Sequence, residues 1–401
     1  MPSNPHRLVS VPRPKQIAIW GAWYGSRNVG DQAVLISIAQ LLREHIPEFR
    51  LTVFTDDPDH VNSYAARESG SDICAMRSKA DPLAVLRTVR DADLLIIGGG
   101  VPFFDSFRHA SIMRILAWTA RRSCTPYLTW AVASQAIRSV ITRQAYRSVI
   151  AHASALTCRD HETQMLFRGL DPTMVVHQVA DPVFALQGLR DIGLARYRIS
   201  GERCPGRPLV GMVPRSLRPD DRSANVHYGR QSRISVANKK ACFARALDRL
   251  WTLGYQTLFI PMNTVAPDDD RDAAREIIGK ADYGRHALLV DQAIRPQEIP
   301  GLLSNCEFAI CARVHGSITA MIANTPVIMY AFDRKHHGIM QSMELGNFVF
   351  DPTTHEHTKI DHLIDLLSSS ITDTRARMRV RLEVLRQQAR QPARIASELL
   401  A

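Results

Sequence analysis

Short runs of β-branched and apolar residues alternate with helix-length amphipathic stretches along this chain, and that alternation confines it to parallel sheets covered by helices. In the first half, strands are expected at 16–20, 51–54, 93–97, 127–131, 155–158 and 174–178. Between the first two, residues 31–44 place Val34, Leu35, Ile38, Leu41 and Leu42 on one helical stripe. Periodicity weakens over 188–208, where Arg, Gly and Pro mix. A second alternating set follows at 209–213, 256–260, 287–290, 307–310 and 327–330. A chain of 401 residues also exceeds what one hydrophobic core usually serves. The expected fold is therefore α/β, with two Rossmann-like doubly wound domains facing a cleft: residues 1–187, a linker at 188–208, and residues 209–401. Residues 362–400 read as two helices that cross back onto the first domain.

Composition narrows the function. The longest apolar runs, such as 93–98, fall far short of the roughly 20 residues that span a bilayer. The N-terminal stretch carries Arg7 and Arg13 without an apolar signal core, so a cytoplasmic protein is expected. Cys74, Cys124, Cys158, Cys204, Cys242, Cys306 and Cys311 are scattered with no C-x-x-C pair, and reduced thiols are the simplest reading. No His/Asp/Glu group has ligand spacing, so no metal is expected. The formal net charge of +11 suits an anionic small substrate, an anionic membrane surface or nucleic acid. The last is set aside because no helix-turn-helix, RNA-binding or zinc-finger signature accompanies the charge. Much of the excess, as in 375–394, reads as a solvated helix face.

Several segments carry chemistry. The first strand runs into Gly21-Ala-Trp-Tyr-Gly25-Ser-Arg-Asn28-Val-Gly30-Asp31 and then a helix. Glycines let backbone N–H groups approach a ligand and the helix N-terminus favours an anion, making Gly25 and Asn28 candidate binders. The competing reading has Asp31 capping the helix and Asn28 in a left-handed turn. Gly98-Gly99-Gly100 ends another apolar run, suited either to ligand approach at Gly99 and Gly100 or to a tight chain reversal. Arg159, at the end of 155–158, would grip phosphate or carboxylate in the cleft, or pair structurally with Asp160 or Asp181. Strand 307–310 ends just before Arg313 and His315, and strand 327–330 just before Lys335. Adjacent parallel strands would deliver all three basic groups to one sheet edge. The polar segment 215–239, with His227, Tyr228 and Arg230, reads as a surface loop or an active-site flap.

Taken in order, these segments resemble the polysaccharide pyruvyl transferase family. The resemblance rests on the G-x-x-x-G-x-x-N-x-G-D opening at 21–31, Asp93 with 97–100, Arg159-Asp160, Ala180-Asp181-Pro182, Arg313-Val-His315, Pro326, and Tyr330 with Lys335. It implies a fold like that of GT-B glycosyltransferases. It also implies transfer of the pyruvyl unit of phosphoenolpyruvate onto a sugar, forming a ketal with release of phosphate and without a cofactor. By motif position the donor-binding arginine falls on Arg159, the R-x-H pair on Arg313 and His315, and the lysine on Lys335.

Phosphoenolpyruvate carries phosphate and carboxylate on a small frame, which calls for converging cations. His315 is then the candidate general acid for the methylene carbon, and Asp31 or Asp105 the candidate acceptor of a hydroxyl proton. The acceptor is a sugar or glycan; a lipid-linked one would suit the basic charge and peripheral membrane contact. The chain departs from the family pattern at His161-Glu162-Thr163 and at Ala131-Val-Ala-Ser-Gln135, both bearing on the acceptor pocket. Two other readings stay open on the residues alone. One is a glycosyltransferase whose Arg313 and Lys335 hold a nucleotide-sugar diphosphate. The other is a non-catalytic protein that binds a sugar phosphate or a membrane surface.

Overall fold

A computed structural model describes residues 13–21, 23–189, 192–216, 231–331, 334–351, 356 and 358–401, with backbone only at 231–239 and 334. The expected segment with His227, Tyr228 and Arg230 lies outside the described residues. Two seven-stranded sheets organise the chain. The first comprises β1 (Lys15–Trp20), β2 (Phe49–Thr55), β3 (Asp72–Arg77), β4 (Leu94–Gly98), β5 (Tyr127–Val132), β6 (Ala155–Cys158) and β7 (Val176–Gln178). They pair in the order β3-β2-β1-β4-β5-β6-β7, all parallel. The second comprises β8 (Ile199–Ser200), β9 (Leu209–Val213), β10 (Gln256–Phe259), β11 (Leu288–Val290), β12 (Cys306–Cys311), β13 (Val327–Tyr330) and β14 (Val349–Phe350). Their order is β14-β13-β12-β9-β10-β11-β8, and only β8 runs antiparallel.

Both sheets reverse their winding at one place, between β1 and β4 in the first and between β9 and β12 in the second. At such a switch point neighbouring loops leave in opposite directions and open a crevice outside the strand ends, where ligands settle in open α/β sheets. The motif segments 21–31 and 98–105 flank the first crevice, and 311–315 flanks the second. Burial of the strands explains their composition: β4, β5, β9 and β13 are buried throughout and read as continuous apolar runs. β3 is an edge strand with exposed Asp72, Cys74 and Arg77, and the apolar pattern that marks the others is missing there. β8, also unmarked in the sequence, lies inside the stretch expected as linker.

The helix Val29–His45 holds the halves together. It begins at Asn28, whose side chain accepts from the Gly30 N–H at 2.9 Å. Val34, Leu35, Ile38, Leu41 and Leu42 are all buried, between the first sheet, the turn Pro182–Ala185 and the last helix, Ile371–Leu400. That last helix crosses back as expected. Arg390 pairs with Glu44 at 3.0 Å, and the Leu400 carbonyl accepts from Lys15 Nζ at 2.6 Å.

Gly99 sets how closely this helix meets β4. Its φ is +79°, and a Cβ there would lie 2.7 Å from Ile38 Cδ1 and 2.8 Å from both the Tyr24 hydroxyl and Val34 Cγ1. Gly99→Ala is expected to destabilise the protein by about 1–3 kcal/mol through backbone strain and overpacking. A urea titration in which the midpoint is unmoved would show that the helix yields.

Candidate functional site

A cleft of about 1000 Å³ opens along the carboxyl ends of β4 to β7, closed on its other side by the helices Arg334–Ser342 and Ile371–Leu400. Its walls include Arg159, Lys335, Arg138, Gln135, His161 and Arg381. Arg159 and Lys335 are thus brought together, one from the end of β6 and one from the segment after β13. Ser134, Gln135, His161 and Glu162, where the chain departs from the family pattern, line this same cleft.

Behind the cleft a charged line crosses from one sheet to the other. The Arg159 guanidinium pairs with Asp181, and both side chains are nearly sealed, at 5% and 0% exposed. The second oxygen of Asp181 accepts from the Val183 N–H at 3.0 Å, so the carboxylate also caps the turn Pro182–Ala185. Burial would push the Asp181 carboxyl up, but Arg159 and then His315 overcome it and hold the group well below the usual carboxylate range. His315 Nε2 stands 3.8 Å from Asp181 Oδ2. This nitrogen is enclosed and has no hydrogen-bond partner among the described residues. An enclosed polar atom without a partner costs about 1–3 kcal/mol and calls for an explanation. The structural alternative for Arg159, a pair with Asp181, is therefore realised, while the residue still lines the cleft.

Arg313 departs from expectation. The sequence groups it with Arg159 and Lys335 as a third converging cation; instead its fork lies on Asp270, with both bonds at 2.7 Å. Asp270 is fully buried and also accepts from the backbone N–H groups of Ser216, Met262 and Asn263 at 2.9, 3.0 and 3.0 Å. A planar guanidinium matches a carboxylate bidentately, and Arg313, held in this way, is not among the residues that line the cleft. Arg313 thus holds the loops at the second switch point in place. Asp270 carried no sequence signal, because it sits in the run Asp268-Asp269-Asp270 that reads as an ordinary helix start.

The two halves meet through the 28–31 segment. Val29 N–H donates to the Met262 carbonyl at 2.8 Å, and Asn28 bridges Asn263, on the loop that Asp270 organises. Gly30 faces His315 directly: a Cβ there would fall 2.8 Å from His315 Cβ and Cγ and closer still to Nδ1. This glycine makes room for the histidine, a role not recognised from the sequence. Asn28 has φ −78° and is the cap; neither the left-handed turn nor the cap at Asp31 occurs. Asp31 sits in the first helical turn and accepts from the Ser26 hydroxyl at 2.6 Å.

Other candidates are occupied by the fold. A Cβ on Gly25 would overlap Thr55 Oγ1 and lie 3.0 Å from the Asp57 nitrogen, so its missing side chain accommodates the end of β2. Gly99 accommodates a helix, as described above, and the Gly100 carbonyl accepts from Ala133 at 2.8 Å. Asp105 is exposed and accepts from the backbone of Arg138 and Ser139 at 3.0 and 3.2 Å, which ties it to the start of the helix Val140–Ile150. Asp93 likewise holds the Gln16 N–H at 2.7 Å. Burial pushes the Cys158 thiol up to about 12, and Cys311 is raised by the same cause.

Two predictions follow from this packing. Gly30→Ala is expected to lower turnover by about 10- to 100-fold by shifting His315, as ångström-scale misplacements do, while the circular-dichroism melt stays cooperative. Full activity in that variant would show that His315 has no fixed position to lose. Cys158→Ala is expected to keep its turnover, and alkylation of native Cys158 at neutral pH is expected only after unfolding. Rapid labelling of the folded protein would contradict the buried, protonated thiol.

Comparison with known proteins bears on the fold and the family. The structure is similar to Neisseria meningitidis UDP-GlcNAc 2-epimerase bound to UDP-GlcNAc, with a TM-score of 0.59 at 8% identity, covering 96% of this chain and 100% of that one. It is similar to a putative UDP-N-acetylglucosamine 2-epimerase from Listeria monocytogenes, with a TM-score of 0.56 at 11% identity, covering 92% and 91%. These likenesses show a GT-B-like fold of two Rossmann-like halves. The polysaccharide pyruvyl transferase profile matches residues 28–334, from the capping asparagine through both charged pairs and His315. The chain belongs to the polysaccharide pyruvyl transferase family.

Proposed function

We propose that this protein transfers the pyruvyl unit of phosphoenolpyruvate onto two hydroxyls of a sugar, forming a ketal and releasing phosphate. The observation that carries this reading is the pairing of a cleft lined by Arg159 and Lys335 with an enclosed His315 nitrogen behind Asp181. Arg159 keeps guanidinium donors beyond the one bound to Asp181, and with Lys335 it meets the charge of the donor phosphate and carboxylate. No cofactor enters the reaction on this reading.

The methylene carbon takes up a proton whose source is His315, placed behind Asp181 rather than on the cleft wall, and C2 takes up positive charge. One sugar hydroxyl attacks C2 and loses its proton; the C2–O bond to phosphate breaks, and phosphate leaves with that bonding pair. A second hydroxyl closes the ketal on the same carbon and loses its proton in turn. The Asp181 carboxylate faces the imidazole and favours the ring position from which the transfer starts. Asp31, held by Ser26 near the start of its helix, and the exposed Asp105 are the candidates to accept a hydroxyl proton. Arg313 acts at a distance, as a positioning residue at the start of the helix Val314–Ile322 that carries His315.

Lys335→Gln is expected to weaken phosphoenolpyruvate binding about tenfold or more, since a charge-assisted hydrogen bond contributes about 1.5–3 kcal/mol. Arg159→Lys tests the same site without leaving Asp181 unpaired. His315→Gln is expected to lower turnover by about 10² to 10⁴ with donor affinity changed less. Calorimetry and phosphate release on folded variants separate the two effects. A His315→Gln protein that binds donor poorly yet turns over normally at saturation would make His315 a phosphate ligand. Release of UDP or GDP from a nucleotide sugar, with no phosphate from phosphoenolpyruvate, would overturn the proposal.

A further inference from the structure

The helix Phe107–Arg122 has two apolar sides. One, with Ala110, Met113, Leu116, Ala117 and Ala120, is buried on the first sheet. The opposite side exposes Phe107, Ile112, Ile115 and Trp118 at 52%, 40%, 49% and 61%. At the helical period of 100° per residue these four span one continuous face. Arg108, Arg114, Arg121 and Arg122 are exposed among and beside them, and the helix carries no Asp or Glu. Arg121 is bonded to His152; Arg108, Arg114 and Arg122 make no ion pair among the described residues.

The flanking helices extend this surface. Pro82–Asp91 and Val140–Ile150 pack against Phe107–Arg122 and expose Leu83, Val140 and Ile141 in their first turns. Each of the three helices follows a parallel strand, so its first turn lies at the carboxyl edge of the sheet, where the cleft opens. Arg138, immediately before Val140 and its cap, lines the cleft itself.

We propose that this face docks the protein on an anionic lipid bilayer, with the cleft mouth turned toward the membrane surface. The residue pattern distinguishes this occupant from a protein partner. Large apolar side chains alternate with unpaired guanidinium groups around one helix face. Side chains such as Trp118 and Phe107 would enter the boundary of the acyl region while the arginines stay at phosphate level, as on helices that lie in an interface. A protein partner would more often be met by a contiguous apolar centre depleted of charge. No described helix is long and apolar enough to cross a membrane, so contact of this kind lies on the bilayer. The inference depends on surface chemistry alone and holds whichever donor the cleft takes.

The test uses the full chain with vesicles of phosphatidylcholine, with and without phosphatidylglycerol. Co-sedimentation is expected with the anionic vesicles, falling as salt rises. A Phe107→Ser, Ile115→Ser, Trp118→Ser variant and an Arg108→Glu, Arg114→Glu, Arg122→Glu variant are each expected to lose about tenfold or more of that partitioning. All six positions are exposed, so melts should match the unchanged protein. Where a triple variant melts early, Trp118→Ser alone is the comparison, and loss of Trp118 quenching by brominated lipid is the readout. Absence of binding to anionic vesicles, or binding that neither variant reduces, overturns the proposal. It is equally overturned if sedimentation velocity shows a dimer that the serine variant dissociates, since a second copy would then own the face.

Discussion

The carboxylate of Asp181 lies at the seam between the two sheets, and the arrangement around it depends on keeping it charged where water does not reach. An isolated buried carboxylate would be prohibitively costly and would take up a proton instead. Here Arg159 neutralises it, the Val183 N–H bonds it, and His315 stands opposite. Removing one partner of such a buried pair typically costs about 3–5 kcal/mol, because the other charge is left behind. Asp181 follows β7 and starts the turn against which both the Val29–His45 and Ile371–Leu400 helices pack. One group therefore links the cleft arginine, the histidine and the joining of the halves.

A second buried pair, Arg313 with Asp270, lies at the switch point of the second sheet, whereas Arg159 with Asp181 lies beyond the ends of β6 and β7 in the first. It differs in what it leaves over. Arg313 donates from Nε and Nη2 to Asp270, whose oxygens also collect three backbone donors, and it does not line the cleft. Arg159 uses one nitrogen on its carboxylate and still faces the cleft. Two arginines that look equivalent in a motif thus divide into one that organises loops and one placed to meet a ligand. The circuit closes through Met262 to Val29, and from Gly30 back to His315.

The residues at which the chain departs from its family pattern are concentrated rather than scattered. Ser134, Gln135, His161 and Glu162 line the cleft that holds Arg159 and Lys335. Thr163 is buried beneath them; its hydroxyl bonds Ser134 at both Oγ and N–H, at 3.1 and 2.8 Å. Substitutions there reshape the cleft wall together, while the charged line behind it stays separate.

What the sequence determined by itself was the architecture and the inventory of reactive groups. Strands buried on both faces must be continuously apolar, so β4, β5, β9 to β11, β13 and the helix Val29–His45 were legible, and apolar runs over part of their length marked β1, β2, β6, β7 and β12. β3 was not, because an edge strand need bury only part of its surface. The motif order marked Arg159, Asp181, Arg313, His315 and Lys335, since a parallel sheet sends its strand ends to one edge. Only the tertiary structure decided which charges meet. Local sequence cannot say that Asp270 lies across from Arg313, 43 residues away, or that Asp181 takes Arg159. Nor can it say that Gly30 is a glycine because His315 of the other half fills the space. Those are contacts between elements distant in the chain, where burial raises the cost of an unmatched charge or an extra methyl group, and the packed halves alone set that cost.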